Sequence, residues 1–335
     1  MTHYTRGRQM FDNKVVLVTG GTGSFGKKFT EIVLARYRPK KLIIFSRDEH
    51  KQYEMAQQFP DTKYGCIRYF IGDVRDKERL RRAFHEVDYV IHAAALKQVP
   101  AAEYNPFEAV KTNIMGAQNV INVAIDLGVK KVIALSTDKA ANPINLYGAT
   151  KLCSDKLFIA GNSYVGVDHT IMSVVRYGNV MGSRGSVVPF FLQQRQTGVL
   201  PITDPRMTRF WITLEQGVNF ILDCLNRMVG GELFVPKLPT MNIKDLAMAV
   251  APECRLEIVG IRPGEKLHEV MVPRDDARRT LDFGNYYVIQ PDFRFFEHRF
   301  KSGEGKPVPE DFEYNSGTND RWLTIEELKE MIKSL

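Results

Sequence analysis

The sequence predicts an α/β fold in which a doubly wound parallel sheet is followed by a smaller, mixed α/β domain. Short apolar, β-branched segments alternate with helical segments through the first half of the chain. A glycine-rich turn follows the first of these segments. Such alternation is typical of a parallel sheet with helices on both faces.

The strands of the sheet can be placed from their apolar runs. The helices between them follow from periodicity and from breaks at Gly, Pro and Asn. Strands are expected at 14–19, 41–46, 66–71, 88–92, 130–136 and 170–176, with helices from the glycine turn to about Tyr37, at 76–85, from about Pro106 to Leu127 and from Tyr147 to about Ala160.

The second half of the chain differs in character. Glycine and proline are frequent from Gly178 to Pro205, and helices separate the irregular segments. Thr213 to Gln216 predicts a capping box that opens a helix to about Met228. We therefore expect a flexible extension over 1–10, a nucleotide-binding domain over 11–180 with a return near 207–230, and a substrate-binding domain over 181–335.

The glycine-rich turn is Thr19-Gly20-Gly21-Thr22-Gly23-Ser24-Phe25-Gly26, and it fits both Gly-x-Gly-x-x-Gly and Thr-Gly-x-x-Gly-x-x-Gly. Glycine lets the backbone approach a pyrophosphate that rests on the helix N-terminus. A glycine triplet also occurs in ordinary βα turns, but this one lies between a strand and a helix near the start of the chain. It predicts a Rossmann dinucleotide site that includes Gly20, Thr22, Gly23, Ser24, Phe25 and Gly26.

The end of the second strand favours NADP over NAD. An acidic residue there is typical of NAD sites, whereas a cation accommodates a 2′-phosphate. Here Ser46 is followed by Arg47, whose guanidinium offers a planar fork, and Lys51 adds a point charge. Asp48 lies two residues beyond the position where an NAD-binding acid is expected, and its alternative role is to cap the next helix.

Residues after the third and fourth strands complete the predicted cofactor site. Asp73, followed by Val74, either accepts a hydrogen bond from the adenine amino group or caps the next helix. Ala93 belongs to a run of small residues that would let the cofactor lie against the backbone. Lys97 follows on the loop, as a substrate ligand or as a solvated side chain.

The stretch after the fifth strand carries four side chains that can move protons. Thr137, Asp138 and Lys139 end the strand, and Tyr147 begins the next helix with Lys151 four residues later on the same face. Ligands of open α/β sheets bind at the carboxyl ends of strands. A Tyr-x-x-x-Lys pair alone is weak evidence, but the strand and the glycine turn give it a context.

Composition excludes several classes of protein. No apolar run of the 335 residues reaches the length of a membrane span, and residues 1–9 lack the apolar core of a signal peptide. The net charge of +7 is dispersed without aromatic interleaving, which argues against nucleic acid. The four cysteines and seven histidines show no metal spacing, so we expect reduced thiols in a cytoplasmic protein and no metal.

Taken together, these motifs resemble the extended short-chain dehydrogenases/reductases that act on nucleotide sugars. Within that class, nearly the whole chain from Met10 onward resembles the inverting UDP-N-acetylglucosamine 4,6-dehydratases, which begin pseudaminic acid synthesis for flagellin glycosylation. Retaining dehydratases have Asp-Glu in place of Asp138-Lys139, and membrane-bound relatives usually have Met in place of Tyr147. The resemblance rests on Ser136 to Pro143, Arg176-Tyr177-Gly178-Asn179-Val180, Met207-Thr208-Arg209-Phe210-Trp211 and Arg262-Pro263-Gly264-Glu265-Lys266.

The resemblance implies roles for the proton-handling side chains. Tyr147, with a pKa lowered by Lys151, would take the proton of the sugar 4-hydroxyl. Neutral Lys139 would remove the C5 proton and protonated Asp138 would protonate the departing 6-hydroxyl, although an ion pair between them would compete. Thr137 would bind the sugar near O4.

The resemblance also implies substrate ligands and an assembly. The chain would form a homo-oligomer, as in the hexamers of the close family. Arg206 is a further candidate for the diphosphate, and a structural role is the alternative for each arginine. The implied substrate ligands are Lys97, Thr137, Asn179, Arg184, Arg209, Arg262 and Glu265.

Two other functions stay open at this point. A nucleotide-sugar 4-epimerase or reductase would need Tyr147 and Lys151 but not the Asp138-Lys139 pair. A non-enzymatic NADP-sensing or nucleic-acid-binding module would tolerate the loss of Tyr147, and its binding to nucleic acid would fall steeply with salt.

Overall fold

The structure is a computed structural model that describes residues 10–165, 170–183, 185–291 and 305–333. The expected extension over 1–10 lies almost wholly outside these residues. Within them, a large sheet with helices on both faces carries the main core, and a second apolar cluster lies in the later part of the chain.

The main sheet has ten strands among the described residues, in the order β16-β14-β15-β10-β6-β5-β4-β1-β2-β3. From β10 to β3 every neighbouring pair is parallel, and only β15, β14 and β16 add antiparallel pairs. The strands are β1 (Val15–Thr19), β2 (Lys41–Ser46), β3 (Ile67–Ile71), β4 (Tyr89–His92), β5 (Lys131–Thr137), β6 (Ile171–Tyr177), β10 (Leu233–Pro236), β14 (Thr280–Asp282), β15 (Tyr286–Ile289) and β16 (Lys306–Pro307).

Three small sheets lie in the later part of the chain. They are β11-β9-β7, β12-β8 and β13-β17. Their strands are β7 (Asn179–Val180), β8 (Val199–Ile202), β9 (Thr208–Ile212), β11 (Thr240–Asn242), β12 (Arg255–Ile258), β13 (Val270–Val272) and β17 (Tyr314–Asn315).

Eleven α-helices connect or flank the strands among the described residues. Short 3₁₀ segments occur at Asp138–Ala140, Arg195–Thr197 and Arg274–Arg279. The helices are α1 (Ser24–Arg36), α2 (Glu49–Gln58), α3 (Lys77–Ala83), α4 (Val99–Tyr104), α5 (Pro106–Val110), α6 (Gly116–Asp126), α7 (Leu146–Gly161), α8 (Val187–Gln194), α9 (Leu214–Arg227), α10 (Ile243–Val250) and α11 (Ile325–Lys333).

The predicted fold class is confirmed. The parallel strands run β3-β2-β1-β4-β5-β6, which is the doubly wound order, and the order in which successive strands are added to the sheet reverses between β1 and β4. The expected strands are found within one residue, because their apolar residues fill the core between two helix layers. Ligands bind such sheets outside the carboxyl ends of the strands at this switch point.

Two helix predictions need comment. The capping box is present, since Thr213 accepts from the Gln216 backbone and Gln216 accepts from the Thr213 backbone. The expected single helix from Pro106 to Leu127 is wrong in detail, because a π-helical turn at Lys111–Met115 separates α5 from α6. The division near residue 180 stays a prediction; the main sheet itself continues past it through β10.

Candidate active site

One cavity of about 1160 Å³ gathers most of the predicted site. It lies at the carboxyl ends of the parallel strands and extends between the glycine turn and the later part of the chain. The predicted residues that line it are Gly20, Thr22, Gly23, Ser24, Phe25, Ser46, Arg47, Asp48, Lys51, Asp73, Val74, Ala93, Lys97, Thr137, Asp138, Lys139, Tyr147, Lys151, Asn179, Arg209, Arg262 and Glu265.

The glycine turn forms one end of the cavity. Gly20 adopts φ +65°, and a Cβ on it would lie 2.9 Å from the Ala94 backbone. The N-cap of α1 is Gly23, which brings no side chain of its own over the first helical amides. Gly26 is buried and is absent from the lining residues. The turn therefore fits an anionic group at the start of α1, as a pyrophosphate requires.

Charged side chains surround the predicted ribose end. Asp48 caps α2 by accepting a 3.0 Å hydrogen bond from the Lys51 backbone, and it also pairs with the Lys51 ammonium. Arg47 is half-exposed and its Nη1 lies 3.7 Å from Asp73 Oδ2. Asp73 also accepts from the Arg75 backbone and side chain, at 3.0 Å and 2.8 Å, and Asp76 rather than Asp73 caps α3.

The 3₁₀ turn after β5 presents an acid and a base side by side. Lys139 Nζ donates a 3.0 Å hydrogen bond to Asp138 Oδ1, and Thr137 donates to the same oxygen at 2.9 Å. Asp138 is fully buried, and its Oδ2 receives no hydrogen bond from the described part of the chain. Burial lowers the pKa of Lys139, but Asp138 and Glu269 more than offset this, so the pKa is raised.

Tyr147 lies beside this turn at the start of α7. Burial raises the pKa of Tyr147 to about 12, and the charge of Lys139 and a hydrogen bond with Thr137 oppose the rise. The groups that oppose the rise come from the 3₁₀ turn, and the expected effect of Lys151 on this pKa stays a prediction. Burial lowers the pKa of Lys151, whereas its neighbour Asp155 raises it.

The sequence allows α7 to pack directly against the 3₁₀ turn Asp138–Ala140. Gly148 follows Tyr147, and a Cβ on it would lie 2.1 Å from the Lys139 carbonyl oxygen. Asn145 caps the helix by accepting from the Gly148 backbone at 2.8 Å. Its amide also donates to the Gly264 carbonyl at 2.8 Å, which joins α7 to the turn that carries Arg262 and Glu265.

Most of the predicted substrate ligands are found in the cavity. Lys97, Thr137, Asn179, Arg262 and Glu265 line it. Arg209 also lines it, yet its guanidinium is largely committed to the protein and donates to the Thr208 and Leu267 carbonyls at 2.7 Å and 3.2 Å.

Two other candidate arginines do not contribute a described side chain to the cavity. Arg206 is exposed, pairs with Asp204 at 2.7 Å and is absent from the lining, which favours the structural alternative over a diphosphate ligand. Arg184 lies outside the described residues.

Several functional candidates escape the sequence patterns. Glu269 is buried with Oε1 3.5 Å from Lys139 Nζ. Tyr177 is buried close enough to Tyr147 to interact electrostatically, and burial raises its pKa. Strand β5 is also supported from behind, where Asp155 and Arg176 form a fully buried pair at 3.4 Å. Arg176 and Tyr177 belong to a segment that carries the resemblance, but only proximity in the fold reveals their partners and the position of Glu269.

The π-helical turn connects two segments that line the cavity. Asn113 lies in it, and its amide donates to the Leu96 carbonyl at 2.9 Å and to Thr150 Oγ1 at 3.0 Å. The Leu96 amide donates back to Asn113 at 2.8 Å. The loop that carries Lys97 is thereby fixed to the helix that carries Tyr147. Such π turns often occur at functional sites.

The sheet order, the glycine turn and the Tyr147–Lys151 helix on one cavity define an extended short-chain dehydrogenase/reductase. The chain belongs to the family described as Polysaccharide biosynthesis protein, whose model matches residues 16–291. It is 57% identical over 331 residues to the UDP-N-acetylglucosamine 4,6-dehydratase (inverting) of Campylobacter jejuni, covering 96% of this chain and 98% of the relative. The resemblance found in the sequence is thus confirmed, including its assignment to an enzyme family of hydro-lyases.

The chain is also similar to a second relative and to a solved structure. The chain is 42% identical over 340 residues to the UDP-glucose 4-epimerase of Rickettsia canadensis, covering 97% of each. The X-ray structure of Pen from Bacillus thuringiensis superposes with a TM-score of 0.89 at 36% identity, covering 97% of this chain and 99% of that one.

None of the helices within the described ranges combines the length and apolarity that a membrane crossing requires. Over the same ranges, His, Cys, Asp and Glu side chains form no cluster of three or more with metal-binding geometry.

Proposed function

We propose that this protein dehydrates UDP-N-acetylglucosamine across C4 to C6 with inversion at C5, using NADP. The product is UDP-2-acetamido-2,6-dideoxy-β-L-arabino-hexos-4-ulose, the first intermediate of pseudaminic acid synthesis. The observation that carries the proposal is the Asp138–Lys139 pair beside Tyr147, on a cavity that also contains the glycine turn. A reaction confined to C4 would need Tyr147 but no second acid and base.

The residues at one end of the cavity fit the dinucleotide. Gly20 and Gly23 give room for the pyrophosphate at α1, and Ala93 offers a small side chain beside it. Arg47 and Lys51 support NADP because both bring positive charge to the end of β2. When bound, NADP accepts a hydride from the sugar C4 and returns it to C6.

The chain's own residues account for the proton transfers. Tyr147 acts as a phenolate, a form that the positive nicotinamide of bound NADP would favour against the effect of burial. It takes the proton of the 4-hydroxyl as C4 becomes a ketone, which acidifies the C5 hydrogen. Lys139 then removes the C5 proton, and Asp138 gives a proton to the 6-hydroxyl, which leaves as water. A proton returns to C5 on the opposite face, so the net change is the loss of one water with C5 inverted.

The observed ion pair is compatible with these roles. A single proton moving from Lys139 Nζ to Asp138 Oδ1 across their 3.0 Å hydrogen bond gives the neutral amine and the protonated acid together. No exchange with solvent is needed, because the pair holds the same number of protons before and after the shift. Hydrogen bonds from Thr137 and proximity to Asn179 hold the pair in place.

Substrate would occupy the remainder of the cavity. Asn179 and Lys97 lie near the Asp138–Lys139 pair, and this proposal assigns the uridine to Arg262 and Glu265, on the turn that is bonded to Asn145. Thr137, hydrogen-bonded to Tyr147, would bind the sugar near O4. The protein would act in the cytoplasm as a homo-oligomer.

A nucleotide-sugar 4-epimerase is the second candidate. The Rickettsia canadensis relative named UDP-glucose 4-epimerase is similar over the full chain, so overall similarity alone does not separate the two reactions. Chemistry separates them, because a 4-epimerase leaves the 6-hydroxyl in place.

The test is an NMR time course of the purified protein with UDP-N-acetylglucosamine and NADP in deuterated water. We expect a new 6-methyl signal, deuterium at C5 and the L-arabino configuration. Lys139→Ala should slow methyl formation by at least ~10²-fold, as for the loss of a general base. Lys63→Ala, on an exposed lysine outside the cavity, is the control. Inversion at C4 without a methyl signal would instead establish the epimerase.

A further inference from the structure

A second buried carboxylate lies behind the acid–base pair. Glu269 comes just before β13, and its side chain is only 2% exposed. Its Oε1 is 3.5 Å from Lys139 Nζ and 3.6 Å from Arg209 Nε. Its Oε2 is buried and accepts no hydrogen bond from any residue that the structure describes. A buried carboxylate is costly unless cations compensate it, so Lys139 and Arg209 are its natural partners.

The backbone around Glu269 is firmly held. Its amide donates to Ser316 Oγ at 2.8 Å, and the Ser316 amide donates to its carbonyl at 2.8 Å. Ser316 Oγ is also within 2.8 Å of Thr208 Oγ1. The backbone that carries the carboxylate is thus anchored to Ser316, next to β17, and through it to Thr208 on β9.

Glu269 differs from the residues that face the cavity. Lys139, Asp138 and Arg209 line it, whereas Glu269 is absent from the lining. Its two ion-pair partners among the described residues, Lys139 and Arg209, connect it to the cavity. A substrate in the cavity would therefore contact Lys139 directly, and Glu269 would affect the substrate only by changing the position and charge of Lys139.

We propose that Glu269 is a positioning residue that holds the Lys139 amine for proton transfer at C5 and, with Arg209 behind it, sets how strongly that amine keeps its proton. The inference rests on the proposed function. Asp138 and Glu269 are the two anions beside Lys139, whereas Arg209, Lys97 and Lys266 are cations, so Glu269 supplies half of the negative charge that favours the charged amine. Once Lys139 has taken the C5 proton, Glu269 stabilises the new ammonium at no cost in rearrangement.

The charge around Lys139 predicts the direction of the effect. An opposite charge within about 4–6 Å favours the charged form of a base. Removing Glu269 leaves more cations than anions near Lys139, so the amine releases its proton at a lower pH. The groups that face Lys139 from the elements packed around it are Asp138, Glu269, Arg209, Lys97, Lys266 and Tyr147.

The test compares pH profiles of kcat and KM for methyl formation from UDP-N-acetylglucosamine. The variants are Glu269→Gln, which keeps the shape and removes the charge, and Glu269→Asp, which keeps the charge. The control is Glu232→Gln. Glu232 is another buried carboxylate, bonded to Ser173 and to the 229 and 230 amides away from the cavity.

The acid–base pair works while it holds one proton, and it fails at high pH when the amine releases that proton. Glu269→Gln should therefore shift the basic (high-pH) limb of the kcat profile to lower pH by about one unit or more, with little change in KM. Glu269→Asp should restore the position of that limb in part, and Glu232→Gln should leave it unmoved. The inference is wrong if Glu269→Gln keeps the wild-type limb, or if only KM changes. If Glu269→Gln does not fold, Glu269→Asp alone tests the inference, because its shorter side chain holds the carboxylate further from Lys139. A basic limb at the wild-type pH in Glu269→Asp would then overturn the inference. A wild-type protein that forms no methyl product would instead refute the proposed function.

Discussion

Ser136 donates a 2.6 Å hydrogen bond to the buried carboxylate of Asp155, which joins the catalytic strand β5 to helix α7. The same carboxylate pairs with the buried guanidinium of Arg176 on β6 and raises the pKa of Lys151 one turn earlier on its own helix. Three elements that carry the site are therefore held together behind it by one side chain.

Loss of this carboxylate should destabilise the fold. Asp155→Ala would leave Arg176 buried without its anion, which costs about 3–5 kcal/mol when a buried pair is broken. Asp126→Ala is the matched control, because Asp126 pairs with Arg81 at the surface and such pairs contribute about 0–1 kcal/mol. Urea unfolding monitored by circular dichroism measures both. Equal losses for the two variants would mean that the buried pair does not stabilise the fold.

His92 should make stability depend on pH. It is fully buried at the end of β4, and burial, with a smaller effect of Lys151, lowers its pKa to about 3. The unfolded histidine titrates near 6.5, so between pH 6.5 and 3 the unfolded state binds the extra proton. Stability should fall as pH decreases through this window, by up to about 1.4 kcal/mol per unit.

The His92→Asn variant isolates this contribution. It removes the titrating group, so the difference in unfolding free energy between wild type and variant should shrink as pH falls from 6.5 towards 3. Above pH 6.5 the difference should be constant, because the histidine is neutral in both states. A difference that stays constant down to pH 3 would show that His92 titrates normally in the folded protein.

Cofactor preference should depend on the cations at the end of β2. We expect the double substitution of Arg47→Gln and Lys51→Gln to weaken NADP binding by about 10- to 100-fold, the effect of losing one charged hydrogen bond of 1.5–3 kcal/mol. NAD, which lacks the 2′-phosphate, should bind nearly as before.

Isothermal titration with each dinucleotide measures this preference. Arg81→Gln serves as the control, since Arg81 is exposed on α3 and lies outside the cavity. If the double variant binds NADP and NAD with equally reduced affinity, the two cations do not select the phosphate.

The close packing of α7 against the 3₁₀ turn Asp138–Ala140 should leave no room for a side chain at position 148. A Cβ there would lie 2.1 Å from the Lys139 carbonyl, so Gly148→Ala must move the turn or the helix. We expect a loss of about 1–3 kcal/mol in stability from overpacking and a larger loss of methyl formation. Gly65→Ala should be nearly neutral, because no atom lies within 4 Å of its Cβ position. Equal behaviour of both variants in thermal unfolding and turnover would contradict the close contact.

The sequence by itself determined the fold class, the first six strands and most of the site residues that the cavity brings together. These features rest on local signals: β-branched runs for β1 to β6, glycine spacing for the cofactor turn, and the Asp138-Lys139 and Tyr147-Lys151 patterns. Each signal is contained in a few consecutive residues, so it can be interpreted before the chain is folded. The resemblance to known dehydratases rests on the same short segments.

Only the tertiary structure decided the environment of those residues. The contacts of Glu269 with Lys139 and of Asp155 with Arg176 join distant segments, and no local pattern marks them. The π-helical turn at Asn113 arises because its amide bonds to the Leu96 loop, a tertiary interaction that helix propensity does not encode. Whether Lys151 or Lys139 acts on Tyr147 likewise depends on distances in the fold and on burial. Electrostatics depends on separation in space, and the sequence gives only separation along the chain.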